Sequence, residues 1–385
     1  MSDTKISFTG DVMCEHTRLE SFRSDNNYDF NPLFADCKTL FDESDYVVAN
    51  LETPVAGKKL KYSYKNFNFN TPEAILPAAV SAGIDMVTTA NNHVLDRGPE
   101  GAELTIKNIK KYGLDYTGTT PGGEKPLPLI KEINGHKIGF LAYTYGTEAC
   151  YNGYYLKPSE QYRVNLLRNQ ELYNIFQRFF VRSRFILARA LRFFVLKTMP
   201  KLLEKRVEDY PQKDKHHKEH IISDVNYCKA QKCDLIIMCL HSGGQYNDNP
   251  TPYTRDIAEF CRNAGVDVIV GNHEHLIQRI DVQNKTAYCL GNFTSNVGID
   301  RGPFDKDSNS SILLHLNIDA DCNVRFSFSI MMSKKNEAGQ VVTVPLFDEY
   351  AKTHSDEIAA LNTRAFNRFC GTKLTEVIPE KEYFL

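Results

Sequence analysis

The sequence predicts an α/β protein interrupted by a helical insertion, and three observations support this fold class. Apolar, strand-like runs alternate with helical stretches from residue 5 to about residue 150, and the alternation resumes at Ser223. Six of the apolar runs end in side chains that bind metals or transfer protons. Between the two halves, residues 151–222 lose the strand pattern and become basic and rich in Phe.

Each element follows from its local pattern. In the first half, short runs of branched and aromatic residues predict strands at Ile6–Phe8, Tyr46–Asn50, Met86–Thr89 and Lys137–Tyr143. Helices are expected at Pro72–Ala82 and Gly98–Tyr112. In the second half, the same patterns predict strands at Asp234–Cys239, Val266–Val270, Ala287–Leu290, Ser311–Ile318 and Val324–Met331, a helix at Pro252–Asn263, and a further helix at Ser355–Arg368.

These elements divide the chain into three parts. Residues 1–150 and 223–345 form one discontinuous domain, residues 151–222 form the insertion, and residues 346–385 form a C-terminal tail without a predicted function. The composition fits a globular protein, because 42% of the 385 residues are hydrophobic and 24% are charged. A net charge of -2 provides no basic field and argues against nucleic acid as a partner.

The cysteines and the N-terminus indicate the compartment. The ten cysteines are scattered and form no Cys-x-x-Cys motif, so the sequence predicts reduced thiols and no disulfide framework. The first residues lead directly into a strand, which leaves no room for a signal peptide. We therefore expect a cytoplasmic protein, with peripheral contact to a membrane as an open alternative.

That alternative depends on the insertion. Residues 176–206 carry nine Arg or Lys against one acid, and on a helix six apolar side chains share one face: Phe176, Phe179, Phe180, Leu187, Leu191 and Phe194. Such a helix either lies on an anionic membrane or packs on the domain or on a second subunit as a homodimer contact. No uncharged run is long enough to span a bilayer, and Lys213–His220 is expected to be an exposed linker.

The polar strand ends predict a metal-dependent enzyme. In an α/β sheet the carboxyl ends of the parallel strands share one edge, so residues far apart in sequence converge there. The ligand candidates are Asp11, Glu52, Asn92, His241, His273 and His275. Oxygen and nitrogen donors of this kind suit Zn, Mn or Fe rather than Ca. Taken singly, Asp11 fits a turn cap better than a ligand, Glu52 fits a surface residue after a strand, and His241 fits a structural histidine better than a ligand, so the interpretation depends on their combination.

Two further residues fit acid–base chemistry. His93 follows Asn92 on the same turn, where its imidazole can protonate a leaving oxygen, and Asp96 is close enough to orient that ring. Asp96 fits helix capping equally well. Asn91, Gln245, Tyr246 and Asn292 are the expected substrate contacts, although a simple turn explains Gly291-Asn292-Phe293 as well.

The ordered motifs resemble a known family. Gly-Asp11, Asn-Leu-Glu52, Asn-Asn-His93-x-x-Asp96, His241-x-Gly-x-x-Tyr246, His273-x-His275 and Leu-Gly-Asn292-Phe together are similar to the CapA family of capsule (poly-gamma-glutamate) synthesis proteins. That family resembles the calcineurin-like metallophosphatases. The resemblance covers residues 5–150 and 223–297, and it implies a four-layer α/β/β/α metallophosphatase-like sandwich with a two-metal centre.

The resemblance also implies a role for each motif residue. Asp11, Glu52 and His275 would hold one divalent ion, and Glu52, Asn92, His241 and His273 would hold the other. His93 would be the general acid, with a water molecule activated by the ions as the nucleophile.

Several positions depart from the family pattern. Met13 stands where metallophosphatases usually carry a His, so the first metal site is expected to be weak or empty unless Cys14 or His16 compensates. Gln245 replaces the usual Glu, and Glu274 replaces the usual Pro. From the sequence, we also expect no N-terminal membrane anchor of the kind common in the polymer pathway.

The sequence therefore predicts a metal-dependent, phosphoesterase-like hydrolase of the CapA type in cell-envelope or capsular polymer metabolism. A phosphomonoester, a phosphodiester and an amide of a polyglutamate chain all suit the predicted chemistry. The alternative is a catalytically idle scaffold that binds polymer or a synthase partner.

Overall fold

A computed structural model describes residues 3–25, 27–63, 68–123, 125–170, 215–294 and 307–385. The basic helix predicted at residues 176–206 lies outside these ranges.

Two large sheets make up most of the described structure. Their strands, together with one small hairpin, are β1 (Thr4–Val12), β2 (Arg23–Ser24), β3 (Asn27–Tyr28), β4 (Tyr46–Leu51), β5 (Met86–Thr88), β6 (Asp115–Thr117), β7 (Leu129–Ile133), β8 (His136–Thr144), β9 (Leu235–His241), β10 (Val268–Asn272), β11 (Ile277–Asp281), β12 (Thr286–Leu290), β13 (Ser310–Ile318), β14 (Val324–Lys335), β15 (Val341–Pro345) and β16 (Tyr383–Phe384).

Helices connect the strands and cover the sheets. Those in the described residues are α1 (His16–Ser21), α2 (Asn31–Phe34), α3 (Lys38–Phe41), α4 (Ile75–Ala82), α5 (Gly98–Lys111), α6 (Ala149–Asn152), α7 (Lys215–Ala230), α8 (Pro252–Ala264), α9 (Leu346–Thr353) and α10 (Asp356–Cys370). Among the residues that the structure describes, none of the helices combines the length and the apolar character needed to cross a membrane.

The two sheets have a similar plan. The first has the order β15-β14-β13-β1-β4-β5-β6, with β16 paired to β14, and β1, β4, β5 and β6 run parallel. The second has the order β11-β12-β10-β9-β8-β7, and β8, β9, β10 and β12 run parallel. Each sheet therefore has a parallel centre whose carboxyl ends can carry a binding site.

The layers follow from the two faces of each strand. In β9, Ile237 and Cys239 belong to the core between the sheets, whereas Ile236 and Met238 pack against α7 and α8. Because successive side chains of a strand point to opposite faces, this strand is buried on both sides. The resulting α/β sandwich confirms the fold class predicted from the sequence.

One predicted segment is wrong. Lys213–His220 was expected to be an exposed linker, but α7 begins at Lys215, and His217 is buried. Ile221, Val225 and Cys228 repeat at helical spacing and pack on the second sheet. The Lys- and His-rich first turn of the helix concealed this apolar face in the sequence.

The C-terminal segment is part of the same fold. Leu361, Ala365 and Phe369 of α10 enter the core, and β16 adds a short strand to the first sheet through Ser327 and Phe328. The predicted helix Ser355–Arg368 corresponds to α10. Residues 346–385 thus cover hydrophobic surface that the sheet would otherwise expose to water.

The two sheets come closest where β1 meets β12. Asp11 donates its backbone N–H to the carbonyl oxygen of Gly291 over 2.9 Å, and β1 shifts its register between Phe8 and Asp11. A Cβ atom on Gly10 would lie 2.0 Å from that same carbonyl oxygen, so only glycine permits this approach. The bulge and the glycine place the Asp11 side chain at the edge that both sheets share.

Candidate metal centre

Six polar side chains from five strand ends meet at this shared edge. Asp11 lies near the end of β1, Glu52 follows β4, and Asn92 follows β5 in the first sheet. In the second sheet His241 ends β9, and the loop after β10 carries His273 and His275. All six side chains are buried. The convergence expected from the strand-end pattern is therefore present in the structure.

One group of potential ligands contains Asp11, Glu52 and His275, whose ligand atoms lie within 4.8 Å of one another. The Oδ2 atom of Asp11 is 3.3 Å from Nδ1 of His275, and Nε2 of His275 is 3.9 Å from Oε1 of Glu52. Asn50 donates a 2.7 Å hydrogen bond to the other oxygen of Asp11 and so fixes the carboxylate.

The second group contains Glu52, His241 and His273. His241 Nε2 is 3.4 Å from Oε1 of Glu52, 3.2 Å from Nδ1 of His273 and 2.7 Å from Oδ1 of Asn92. Glu52 therefore belongs to both groups, as a carboxylate shared between two ions would.

The donor set fits divalent metal ions. Among the described residues, neither carboxylate oxygen of Glu52 has a hydrogen-bond partner, although the side chain is fully buried. A buried carboxylate is normally hydrogen-bonded or bound to a cation, because burying its charge alone is costly. Here imidazole nitrogens and a second carboxylate surround it instead, which is an arrangement that a cation would stabilise.

The pKa values of this cluster are shifted by burial and by neighbouring charges. Burial, together with the neighbouring charge of Asp11, raises the pKa of Glu52 well above its usual range. Burial opposes charge on Asp11 too, but the hydrogen bond and charge of His275 outweigh it and lower the pKa of Asp11. Burial likewise disfavours His275 as a cation, yet Glu52 and Asp11 raise its pKa to about 10. Burial lowers the pKa of His241 to about 3.

His93 and Asp96 form a buried pair beside the two groups. Nδ1 of His93 lies 2.8 Å from Oδ2 of Asp96, and the backbone N–H of Phe69 donates a 2.7 Å hydrogen bond to the same oxygen. The ring of Phe69 stands edge-on to the imidazole at 4.4 Å between centroids. Burial opposes protonation of His93, but the charge and hydrogen bond of Asp96 outweigh burial and raise the pKa of His93.

Of the four predicted substrate contacts, Asn91 and Asn292 are buried beside the centre. Asn91 is buried; its amide donates to the carbonyl of Leu51, and its oxygen accepts from the N–H of His93. Asn292 lies behind His275, with its Oδ1 atom 2.8 Å from Nδ1 of that residue. The structure thus uses both amides to position the site, and their contact with substrate stays a prediction.

Gln245 and Tyr246 lie in the loop after β9, where both are half-buried. The ring of Tyr246 is 5.7 Å from the ring of His275, and Gln245 precedes it. Tyr246 therefore borders the group that contains Asp11, and contact of either residue with substrate stays a prediction.

The loop between β10 and β11 is strained. His273 and His275 have φ angles of 109° and 59°, in the region that favours glycine. Glu274 lies between them, accepts a 2.8 Å hydrogen bond from the N–H of Gly244 through its side chain, and accepts a 2.7 Å bond from the N–H of Tyr246 through its carbonyl. Such strain persists only where the surroundings enforce it and is frequent at functional sites.

The residues considered as substitutes for a ligand at Met13 do not join the centre. Cys14 is buried in the hydrophobic core, and His16 is exposed at the start of α1. Neither belongs to the two groups of potential ligands. The cysteines whose side chains the structure describes are all free thiols.

Two residues at the centre were not predicted. Glu148 accepts a hydrogen bond from the Asn92 amide, and the ring of Tyr145 packs on that of His273 at 4.5 Å between centroids. Both follow β8, a parallel strand whose end carries no metal-type motif in the sequence. Only its position between β7 and β9 could have indicated that its end reaches the site.

The fold and the site together define an α/β sandwich that carries buried His, Glu and Asp groups able to hold metal ions at its edge. The chain belongs to the bacterial capsule synthesis protein family PGA_cap, whose profile matches residues 5–297. The resemblance inferred from the ordered motifs is thereby confirmed.

Two curated relatives carry related names. The capsule biosynthesis protein CapA of Bacillus anthracis is 26% identical over 302 residues, which are 77% of this chain and 61% of the relative. The PGA biosynthesis protein CapA of Bacillus subtilis (strain 168) is 24% identical over 300 residues, covering 77% of this chain and 64% of the relative. The match thus spans somewhat less than two thirds of each relative.

Proposed function

We propose that this chain is a metal-dependent hydrolase of the phosphoesterase type that acts in capsular or poly-gamma-glutamate polymer metabolism. One observation supports this function above the others, namely two groups of buried ligands that share Glu52. A scaffold has no need of a buried carboxylate surrounded by imidazoles, because that arrangement lowers stability until a cation is bound.

Most of the residues at the site would act as metal ligands. Asp11, Glu52, His241, His273 and His275 would hold two divalent ions, for which Mn, Zn or Fe is suitable. When bound, such ions supply Lewis-acid chemistry and lower the pKa of a water molecule. The Asn92 oxygen, which lies 2.7 Å from His241, would complete the second group.

His93 would supply the proton. Its hydrogen bond to Asp96 fixes Nδ1 and stabilises the charged imidazole, which leaves Nε2 as the atom that protonates a departing oxygen or nitrogen. Asp96 would keep the ring oriented throughout. Because Asp96 also accepts from the backbone of Phe69, its own position is fixed by the loop that precedes α4.

The substrate class follows from the relatives' names. Both are described as acting in capsule or PGA biosynthesis, which supports an envelope polymer or its precursor as substrate. The ester or amide of such a polymer is the bond that we expect the site to hydrolyse.

The test begins with the metal content of the purified chain. We expect up to two equivalents of bound Mn, Zn or Fe, and metal-stimulated release of nitrophenol from mono- or diester substrates or cleavage of polyglutamate. Glu52→Ala should bind neither ion, because both groups lose a shared ligand. A wild-type chain that binds no metal and is inactive on all three substrates would overturn the hydrolase and favour the scaffold.

The insertion needs a separate test. We propose that residues 176–206 contact an anionic membrane or a second copy of the chain. Sedimentation with vesicles of increasing anionic lipid content, at low and high salt, distinguishes the two. Salt-sensitive pelleting that is lost when Arg182, Arg189 and Arg192 become Glu supports the membrane. A dimer without pelleting supports self-association, and a monomer that never pellets contradicts both.

A further inference from the structure

Glu148 lies beside Asn92, and its carboxylate contacts the amide of that residue. Its Oε1 atom is 3.3 Å from Nδ2 of Asn92 and 3.0 Å from the hydroxyl of Tyr145. On the other side of the same amide, Oδ1 of Asn92 faces Nε2 of His241 at 2.7 Å. The Asn92 amide is therefore held between an acceptor and an imidazole.

A carboxylate decides which way this amide points. The Oε1 atom of Glu148 accepts from the Tyr145 hydroxyl and from the NH2 group of Asn92, so the oxygen of Asn92 faces His241. In the reverse orientation two oxygens would oppose each other at Glu148, and the amide would present N–H donors to the place where a cation binds. Only the observed orientation gives Asn92 a lone pair for a metal.

We propose that Glu148 is a positioning residue that orients Asn92 for the second metal ion. This inference rests on the proposed function, because it assumes that the group around His241 holds a cation. Glu148 contacts neither the reacting bond nor the cation in this role, and it acts through the amide alone.

Tyr145 fixes Glu148 in turn. The Tyr145 hydroxyl donates to the carboxylate, while its ring packs on His273 at 4.5 Å between centroids. Since Nδ1 of His273 is 3.2 Å from Nε2 of His241, the contacts close a ring through Asn92, Glu148, Tyr145, His273 and His241. Glu148 contacts Asn92 and Tyr145 packs on His273, so the segment that carries Glu148 and Tyr145 positions two proposed ligands of the second ion.

The segment itself is rigidly attached. Glu148 has a φ of 50°, and the N–H groups of Tyr151 and Asn152 donate to its carbonyl over 2.8 and 3.0 Å. The guanidinium of Arg168, which is fully buried, lies 5.3 Å from the ring centroid of Tyr145 and donates through Nε to its carbonyl. The strained backbone of Glu148 is thus supported on both sides.

The experiment compares Glu148→Ala with Glu148→Gln. Glutamine retains an acceptor oxygen for Asn92, whereas alanine removes it. Metal affinity is measured by competition with a chromophoric chelator, using Mn or Zn alone as the probe. Loss of an outer partner of a metal ligand typically weakens binding by about 10–100-fold. We expect that loss for one of the two ions in Glu148→Ala and a smaller loss in Glu148→Gln, because glutamine keeps an acceptor oxygen but can also donate and so fixes the orientation of the amide only in part.

A pair of tyrosines provides the matched control. Tyr145→Phe removes the hydroxyl that holds Glu148 and should weaken the same ion. Tyr143→Phe removes a buried hydroxyl from the same strand end, but that hydroxyl donates to Asp224, away from the centre. It should change stability and leave metal affinity intact. If Glu148→Ala does not fold, as judged by circular dichroism, the two tyrosine variants decide the question.

The outcomes separate this inference from the proposed function. Unchanged metal affinity in Glu148→Ala overturns the positioning role. Metal binding that depends on Glu148 without any hydrolysis overturns the hydrolase and leaves the positioning role standing. A wild-type chain that binds no metal overturns both.

Discussion

His93 and His241 lie in the same buried cluster, but their contacts differ in kind. His93 bonds to Asp96, a carboxylate outside both ligand groups, whose charge outweighs burial and raises the pKa of the imidazole. His241 lies 3.4 Å from Glu52 and has its pKa lowered to about 3, so it is a neutral imidazole with lone pairs to offer. A proton donor and a metal ligand need these opposite states.

Replacement of His93 by alanine should therefore leave the metal content unchanged and lower turnover by about 10²–10⁴-fold, the usual contribution of a general acid. Metal analysis and ester hydrolysis on the same preparation measure both effects. Replacement of His241 by alanine should instead remove one metal ion. Loss of metal from His93→Ala would show that His93 is a ligand and that the assignment of roles is reversed.

At the level of secondary structure elements, β13 carries a buried histidine, His315, that belongs to neither group of potential metal ligands. His315 lies between Ser7, 2.7 Å away, and Ser329, 3.3 Å away, and burial lowers its pKa to about 3. Between pH 6.5 and 3 the unfolded chain then binds a proton that the folded chain does not. Stability must consequently fall as the pH falls through this window.

The expected size of this effect is about 2 kcal/mol between pH 6.5 and 5, since each unit of pKa difference corresponds to about 1.4 kcal/mol. Denaturant unfolding at the two pH values measures it. His315→Gln should be less stable at neutral pH and should show a shallower decline with acid. An equal decline in both proteins would assign the pH dependence to other groups.

The contact between β1 and β12 depends on a single glycine. Gly10→Ala would place a methyl group 2.0 Å from the carbonyl oxygen of Gly291, so the strands must separate. Overpacking of this kind costs about 1–3 kcal/mol, which thermal unfolding can detect. Because Asp11 moves with the strand, metal affinity should fall too. Gly146→Ala is the control, since no atom lies within 4 Å of its added carbon.

Some elements were predictable from the sequence and others were not. Asp11, Glu52, His241 and His275 could be placed at one edge because each follows an apolar run, and the ends of parallel strands coincide. Glu148 could not, because it follows a strand end without a motif and contacts Asn92 across 56 residues of sequence. The helix α7 was missed because basic residues fill its first turn. Hydrophobic periodicity does not report contacts between residues that are distant in sequence, and a run of basic residues can hide the apolar face of a helix.

At the scale of the whole molecule, the C-terminal segment covers part of the first sheet and adds a short strand to it. Tyr383 is 8% exposed and packs on Phe328 at 5.1 Å between ring centroids, while its neighbour Phe384 is 77% exposed. The hydroxyl of Tyr383 also donates to Asn362 in α10. The last strand thus ties the end of the chain to both the sheet and the helix that covers it.

Tyr383→Ala should consequently destabilise the whole fold by about 3–5 kcal/mol, the cost of removing a large buried aromatic side chain. Phe384→Ala should change the free energy of unfolding by about 0.5 kcal/mol or less. Denaturant titration of the two variants checks the contrast. Equal, small effects would mean that residues 346–385 are dispensable for folding.

Through the shared carboxylate of Glu52, the stability of the fold would also depend on the concentration of metal ions in solution. Folding buries a carboxylate that no hydrogen-bond donor among the described residues satisfies, and on the proposed function a bound ion would offset that cost. An ion that binds the folded chain and not the unfolded chain adds about 2.7 kcal/mol of stability at a concentration 100 times its dissociation constant. On the proposed function, removal of the ion would therefore lower the stability of the folded chain.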